Sequence, residues 1–306
     1  METRTLGRTG LEVSVLGFGA APIGVLETEQ PEVDAILGLL LDSGVNLIDT
    51  AAGYRGSEQA IGRSIGDRRD EFVLVSKCGQ AFDDLPGEAW SAELITATVE
   101  RSLARLQTDF LDVMLLHTCD LEVLERGEAL GALVRAREAG KVRFVGYSGD
   151  NQAGAFAARL SDVAVVQTSI NICDQVNIDE VLPAASECGV GVMAKRPIAN
   201  AAWKDLNDQP GFYARYAETY TERLALMAIE PEEIGFEASD WAELALRFTL
   251  SCDIGTAIIG TTNPDHVRAN IEAASHGRLP EGALEKLREA FLEAMLDAGE
   301  QWAGLT

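Results

Sequence analysis

The stretch Val45-Asn46-Leu47-Ile48-Asp49-Thr50-Ala51-Ala52-Gly53-Tyr54 carries the reading of this chain. A short apolar strand runs into an acid, and a tyrosine follows five residues later. Alone the pattern is weak. Its neighbours give it meaning: the apolar run Phe72-Val73-Leu74-Val75-Ser76 ends at Lys77, and the run from Phe110 to Leu116 ends at His117. Asp49, Tyr54, Lys77 and His117 then fall at the C-terminal ends of three successive strands. In a closed parallel barrel those ends share one face, so four residues far apart in sequence meet.

The alternation extends in both directions. Residues 2–18 alternate around Arg8-Thr9-Gly10, which suggests a short hairpin capping the barrel bottom, with Ser14-Val15-Leu16-Gly17 opening the first barrel strand. Helical spacing marks 31–44, 57–66, 92–106, 122–139, 151–159, 178–188, 239–251 and 264–274, and an extra helix covers 281–297. Strands fall at 45–48, 72–76, 110–116, 142–147, 163–167, 190–194 and 256–259. Eight such units in about 260 residues have the size of a (β/α)₈ barrel, so the expected fold class is α/β, a TIM barrel, as one domain over 1–306. A doubly wound dinucleotide fold needs Gly-x-Gly-x-x-Gly after the first strand, and Gly17-Phe18-Gly19-Ala20-Ala21-Pro22 lacks the third glycine. The one long irregular segment, roughly 197–238, carries Pro197, Pro210 and Pro231 and follows the seventh strand, where long loops are often functional.

Composition narrows the function classes. The 306 residues are 47% hydrophobic and 24% charged, as in a globular chain. A formal charge of −24 argues against nucleic acid and anionic membrane as partners. No early stretch reads as a secretory leader and no apolar run reaches the roughly 18 residues of a membrane span, so a cytoplasmic protein is expected. Five cysteines without a CxxC pair argue against a disulfide framework and against a zinc site; no metal is expected. Cys78 and Cys119 adjoin the candidate site, where oxidation would affect activity. Only five of the 25 basic residues are lysine, which singles out Lys77 and Lys195, both at strand ends.

The four residues suit proton delivery to a carbonyl. A tyrosine hydroxyl, with a reference pKa of about 10, is too weak an acid near neutrality, and a lysine ammonium beside it favours the phenolate. An aspartate holds the lysine in place and charged. A histidine hydrogen-bonds the carbonyl oxygen as it becomes an alkoxide. Hydride chemistry is beyond side chains, so a nicotinamide cofactor is implied.

The chain resembles the aldo-keto reductase superfamily, in its bacterial single-domain type. Leu6-Gly7-Arg8-Thr9-Gly10-Leu11-Glu12-Val13-Ser14 and Leu16-Gly17-Phe18-Gly19 resemble its N-terminal signature, and Asp49-Thr50-Ala51-Ala52-Gly53-Tyr54, Ser57-Glu58, Ser76-Lys77 and His117 its catalytic motifs. The resemblance implies an NAD(P)H-dependent reductase on the barrel. Tyr54 is then the general acid, Lys77 and Asp49 tune it, and His117 orients the carbonyl. Gly19, Asp49, Thr50, Ser148, Gln167 and Asn171 come near the nicotinamide half, with Ser148 and Gln167 holding its carboxamide. Gly260, Thr261 and Thr262 match the loop that binds the adenosine phosphate, at a helix N-terminus suited to anions; His266 and Asn270 match contacts to the adenosine half.

Departures from the family pattern are local. Ser148-Gly149-Asp150-Asn151 stands where Ser-Asn is common, and Asn151 is a candidate to replace the amide. Lys195 stands where an aromatic residue usually stacks on the nicotinamide, and Lys195 or Arg196 is a candidate to reach the pyrophosphate. The Lys and Arg that usually mark NADP binding are replaced by Thr261 and His266. NADP(H) is still the expected cofactor, through Thr261, Thr262 and the helix N-terminus, with NAD(H) or dual use as the alternative. Phe82, Trp90, Trp203 and Trp302 are candidate walls for a small carbonyl or sugar substrate, with Trp203 the first choice. Reduction of aldehydes or ketones by a monomer is the leading expectation. Oxidation of an aldose or alcohol is the second, and a cofactor-binding regulatory subunit is a third.

Overall fold

The structure, a computed structural model, describes residues 1–208, 214–237 and 239–306. A two-stranded antiparallel hairpin, β1 (Thr3–Thr5) with β2 (Glu12–Ser14), precedes the barrel. Eight parallel strands then close in sequence order: β3 (Leu16–Gly19), β4 (Leu47–Asp49), β5 (Val73–Cys78), β6 (Leu111–His117), β7 (Val142–Ser148), β8 (Val163–Ser169), β9 (Gly191–Lys195) and β10 (Thr256–Ile259). Strand β10 pairs with both β9 and β3 and completes the ring. The strands are rich in Val, Leu and Ile and buried on both faces, as parallel strands covered by helices must be.

The period of two along each strand decides which side chains face the barrel axis. Leu47, Val73, Val75, Val113, Leu115, Val165, Met193 and Ile258 form an interior cluster separate from the layer under the helices. Two residues further along the same phase stand Asp49 after Leu47, Lys77 after Val75, His117 after Leu115, Gln167 after Val165 and Lys195 after Met193. The polar site is therefore the next layer above an apolar stack. Gly146 shows how tight that stack is: a Cβ there would lie 2.4 Å from Leu115 Cδ2 and 2.4 Å from the Val165 carbonyl oxygen. Ser148, two residues on, continues its phase.

The hairpin plugs the bottom. Leu6, Leu11 and Val13 join the interior cluster. Gly7 sits at φ +51°, and a Cβ on it would approach the Gly191 amide nitrogen to 2.2 Å, so the plug needs glycine there. Asp112, at the start of β6, clamps the barrel from outside: it accepts from Arg69 (2.6 Å), Arg143 (2.7 Å) and the Leu74 amide (2.9 Å).

Several boundaries differ from the sequence reading. The first barrel strand begins at Leu16, because Ser14 still pairs with Thr3 in the hairpin. The helix expected over 122–139 is two, Leu121–Arg126 and Glu128–Glu138, parted at Gly127 with φ +71°. The helix expected over 178–188 is also two, Val176–Glu180 and Leu182–Cys188, with Pro183 unable to continue the hydrogen-bond ladder. The segment 197–238 is not irregular throughout: Ala214–Met227 is a helix that buries Ala217, Tyr220 and Met227. Pro210 lies outside the described residues. The extra helix is Glu281–Asp297, and the chain after it returns to the upper end of the barrel.

Candidate active site

Asp49, Lys77 and His117 project from the upper ends of β4, β5 and β6, while Tyr54 comes from the loop after β4. That loop turns tightly, with the Tyr54 amide donating to the Ala51 carbonyl at 3.0 Å. Lys77 Nζ donates to Asp49 Oδ2 at 2.7 Å and to the Thr50 carbonyl at 2.9 Å. The same ammonium is 5.0 Å from the centre of the Tyr54 ring. Tyr54 and His117 meet edge to face, ring centres 5.8 Å apart. The second Asp49 oxygen accepts from Gln167 at 3.0 Å, and Gln167 Oε1 accepts from the Ser148 hydroxyl at 2.9 Å.

Burial sets the charges. It works against the Lys77 ammonium, but Asp49 and Tyr54 outweigh it and hold Lys77 above the ordinary lysine value. Burial also drives His117 well below its ordinary value, and the positive charges of Lys77 and Lys195 push the same way. His117 is thus a neutral imidazole at neutral pH, able to donate a hydrogen bond without carrying charge. Burial raises Cys119 to about 12 and raises Cys78 further, so both stay thiols. This argues against the oxidation-sensitive role expected for them, since the thiolate is the reactive form.

A cleft of about 780 Å³ opens over this layer. Asp49, Tyr54 and His117 line it together with Gly19, Ser148, Gln167, Lys195 and Arg196, and Gly260, Thr261, Thr262 and His266 line its other end. Lys77 lies behind the wall, against Asp49. The far end is shaped for an anion: Asn263 caps the helix Pro264–Ser275 by accepting from the Asp265 amide at 2.9 Å, and Thr261 and Thr262 stand just before it. His266 Nδ1 is 3.4 Å from the Thr261 hydroxyl. Tyr54 and His266 line the same cleft, and its polar residues at one end and helix N-terminus at the other fit a dinucleotide.

Four expected contacts are not on the cleft wall. The Thr50 hydroxyl is buried against Ser57 at 2.9 Å, so only its carbonyl serves the site. Asn171 is fully buried and accepts from the Cys173 amide at 2.9 Å. Asn270 borders a small gap beside Thr261, Phe18 and Val267 rather than the cleft. Trp203 stacks on Trp241, with centres 5.8 Å apart and planes 11° apart, and lies outside the lining. Trp302 packs on Phe291, Phe82 under Arg101 and Trp90 over Gly79, so none of these three walls the cleft.

The substituted positions form a network of their own. Asn151 does not replace an amide at the cleft; its side chain makes two hydrogen bonds to Gly304, of 2.9 and 2.6 Å. Arg196 lines the cleft, but its guanidinium donates to Ser169 Oγ (2.7 Å) and the Leu305 carbonyl (2.5 Å) and stacks on Tyr216 at 3.8 Å. Those contacts argue against a pyrophosphate role for Arg196. Lys195 pairs with Asp150 at 2.8 Å, and Asp150 is buried. Sequence reasoning missed Asp150 and Tyr216. Asp150 sits two residues past the end of β7, so the strand-end rule that found Asp49 also points to it. Tyr216 lies on the helix that the proline-rich reading overlooked.

Among the described residues no helix is long and apolar enough to cross a membrane. Among the same residues no group of three or more His, Cys, Asp or Glu side chains is arranged to hold a metal ion.

Comparison with known proteins matches residues 15–291 to the family described as Aldo/keto reductase family. L-galactose dehydrogenase of Arabidopsis thaliana is 27% identical over 90% of this chain and 88% of its own length. D-threo-aldose 1-dehydrogenase of a Pseudomonas species is 27% identical over 92% of this chain and 95% of its own. Among solved structures, the holo form of an aldo-keto reductase from Bacillus halodurans superposes with a TM-score of 0.80 at 28% identity, covering 95% of this chain and 96% of its own.

Proposed function

The chain belongs to the aldo/keto reductase family and is an oxidoreductase, and from that premise we propose that it reduces aldehyde or ketone groups with NADP(H), Tyr54 acting as the general acid. The observation that carries the reading is the buried Asp49–Lys77 pair, 2.7 Å long, with Lys77 Nζ 5.0 Å from the Tyr54 ring at the floor of the cleft. The dinucleotide, when bound, supplies the hydride. Ser148 and Gln167 would hold its carboxamide, Gly19 would approach it from the opposite side of the barrel, next to Asp49, and Gly260, Thr261, Thr262 and His266 would take the adenosine phosphate.

The chain's own residues do the rest. Neutral His117 donates a hydrogen bond to the carbonyl oxygen and polarises it. Tyr54 passes its proton to that oxygen as negative charge builds there, and general-acid assistance of this kind is worth about 10²–10⁴-fold. Lys77 stabilises the phenolate left behind, and Asp49 keeps Lys77 in position. The apolar layer of Leu47, Val75 and Leu115 beneath the site excludes water from below. One domain over 1–306, working as a monomer on a small carbonyl or sugar, suffices for this chemistry.

The reverse direction is a second reading. It is favoured by two relatives named as sugar dehydrogenases, L-galactose dehydrogenase and D-threo-aldose 1-dehydrogenase. One panel separates the two: aldehydes, ketones and dicarbonyls with NADPH or NADH, against aldoses and alcohols with NADP⁺ or NAD⁺. The primary reading expects the highest kcat/KM in a reductive arm with NADPH. A higher value for an aldose with an oxidised dinucleotide supports the second reading, and tighter binding of NADH than NADPH refutes the cofactor assignment.

A further inference from the structure

Lys195 lines the cleft beside Ser148 and Gln167, one layer above Met193 on the inward face of the barrel. Its ammonium is 2.8 Å from Asp150 Oδ2. That carboxylate also accepts from the Thr168 hydroxyl (2.9 Å), the Ser169 amide (2.6 Å), the Asn177 side chain (3.0 Å) and the Thr306 hydroxyl (3.2 Å). Asp150 stays behind the wall while Lys195 reaches the cleft. The Asp150 counter-charge thus sits outside the lining, shared among Lys195 and four other donors, and the cationic end of the pair faces the ligand.

The rest of the lining reinforces that sign. Across the described lining the charged side chains are Lys195, Arg196 and Lys204 against one side-chain carboxylate, Asp49, which already pairs with Lys77, with Thr306 at the rim and the Arg196 guanidinium turned to Ser169 and Leu305. In a chain of formal charge −24 this is a local reversal. The oxidised nicotinamide ring is a cation, the reduced ring is neutral, and the phosphates are the same in both. A positive wall therefore attracts both forms through their phosphates and repels only the oxidised ring.

We propose that Lys195, held by Asp150, makes the cleft bind the reduced dinucleotide in preference to the oxidised one. The inference rests on the nicotinamide reading above. An aromatic side chain at this position carries no charge and does not discriminate in this way, so the preference belongs to the substitution in this chain.

Calorimetric titration of NADPH and NADP⁺ onto the enzyme without substrate reads the preference directly and involves no turnover. The wild type is expected to hold NADPH at least about tenfold more tightly than NADP⁺. Lys195→Met is expected to narrow that ratio by about tenfold, mainly by tightening NADP⁺. Lys195→Arg keeps the charge and the ratio. Because Lys195→Met leaves Asp150 buried without its counter-ion, Lys195→Met/Asp150→Asn is titrated beside it and is expected to lose the ratio equally. A ratio in both neutral variants within about twofold of wild type overturns the proposal, as does a wild type that binds both forms equally. Binding of neither dinucleotide by the wild type removes the nicotinamide reading itself, a failure distinct from a lost ratio.

Discussion

Asp49→Asn isolates the electrostatic support of the candidate site from its shape. The substitution keeps the size of the side chain and its neighbourhood with Gln167, but removes the carboxylate that lies 2.7 Å from Lys77 Nζ. Asp49 is 5% exposed and Lys77 1%, so water does not compensate. The Lys77 ammonium then keeps the Thr50 carbonyl at 2.9 Å as its main acceptor. Stranding a buried charge in this way costs about 3–5 kcal/mol. With an unfolding entropy of about 2.1 cal/mol/K per residue, a chain of 306 residues loses about 5–8 °C in Tm for that cost. The sign of the pH dependence on the alkaline side is fixed by the raised Lys77 value. Lys77's contribution is fully present below the unfolded lysine value of about 10.4 and is lost as pH rises through the folded one, while burial raises the Asp49 carboxyl, so the ion pair weakens as pH falls toward that raised value. Thermal unfolding followed by near-UV dichroism is the assay, with Asp49→Asn/Lys77→Met as its partner. The double variant removes both charges, so it should recover most of the lost stability while staying catalytically impaired. A loss under about 1 kcal/mol in the single variant, or a double variant less stable than the single, refutes the reasoning.

Other outcomes follow from the same geometry. His117 refuses a proton that the unfolded chain takes up below about pH 6.5, so stability should fall as pH drops through that value. His117→Gln should remove this part of the slope, and an unchanged slope in urea titrations at pH 5 and 7 contradicts the assignment. Asp112→Ala should cost about 3–5 kcal/mol, because Arg69 is left with its charge unpaired in a half-buried place, while activity per folded molecule stays unchanged; denaturant curves beside active-site titration check both halves. Asn151→Ala removes both hydrogen bonds to Gly304 and should cost about 1–3 kcal/mol, read as faster amide exchange at Gly304 and Leu305 than at Val113.

Much of this architecture was legible before the structure, and the reason is periodicity. The runs ending at Asp49, Lys77 and His117 are almost continuously apolar, which marks them as covered parallel strands, and the strand's side-chain period of two, which turns Leu47, Val75 and Leu115 inward, aims the next residue of that phase into the cleft. Long helices with unbroken spacing, such as Ala92–Leu106 and Glu281–Asp297, are legible to the residue. What was not legible depends on contacts between distant segments. Nothing local to Asn151 says that it holds Gly304, 153 residues away, or that Arg196 turns toward Leu305. Trp203 looked like a cleft wall because it follows β9, yet Trp241 lies parallel to it and takes up its face. The helix Ala214–Met227 was hidden by prolines on either side, although its buried Ala217, Tyr220 and Met227 keep helical spacing.

The claim that Tyr54 delivers the proton, on a site built from Asp49, Lys77 and His117, is tested most directly by Tyr54→Phe. The substitution keeps the ring that meets His117 at 5.8 Å and deletes only the hydroxyl. Single-turnover reduction of an aldehyde with saturating NADPH is predicted to slow by at least about 10²-fold, with NADPH affinity within about twofold of wild type. A Tyr54→Phe enzyme that turns over at the wild-type rate contradicts the account.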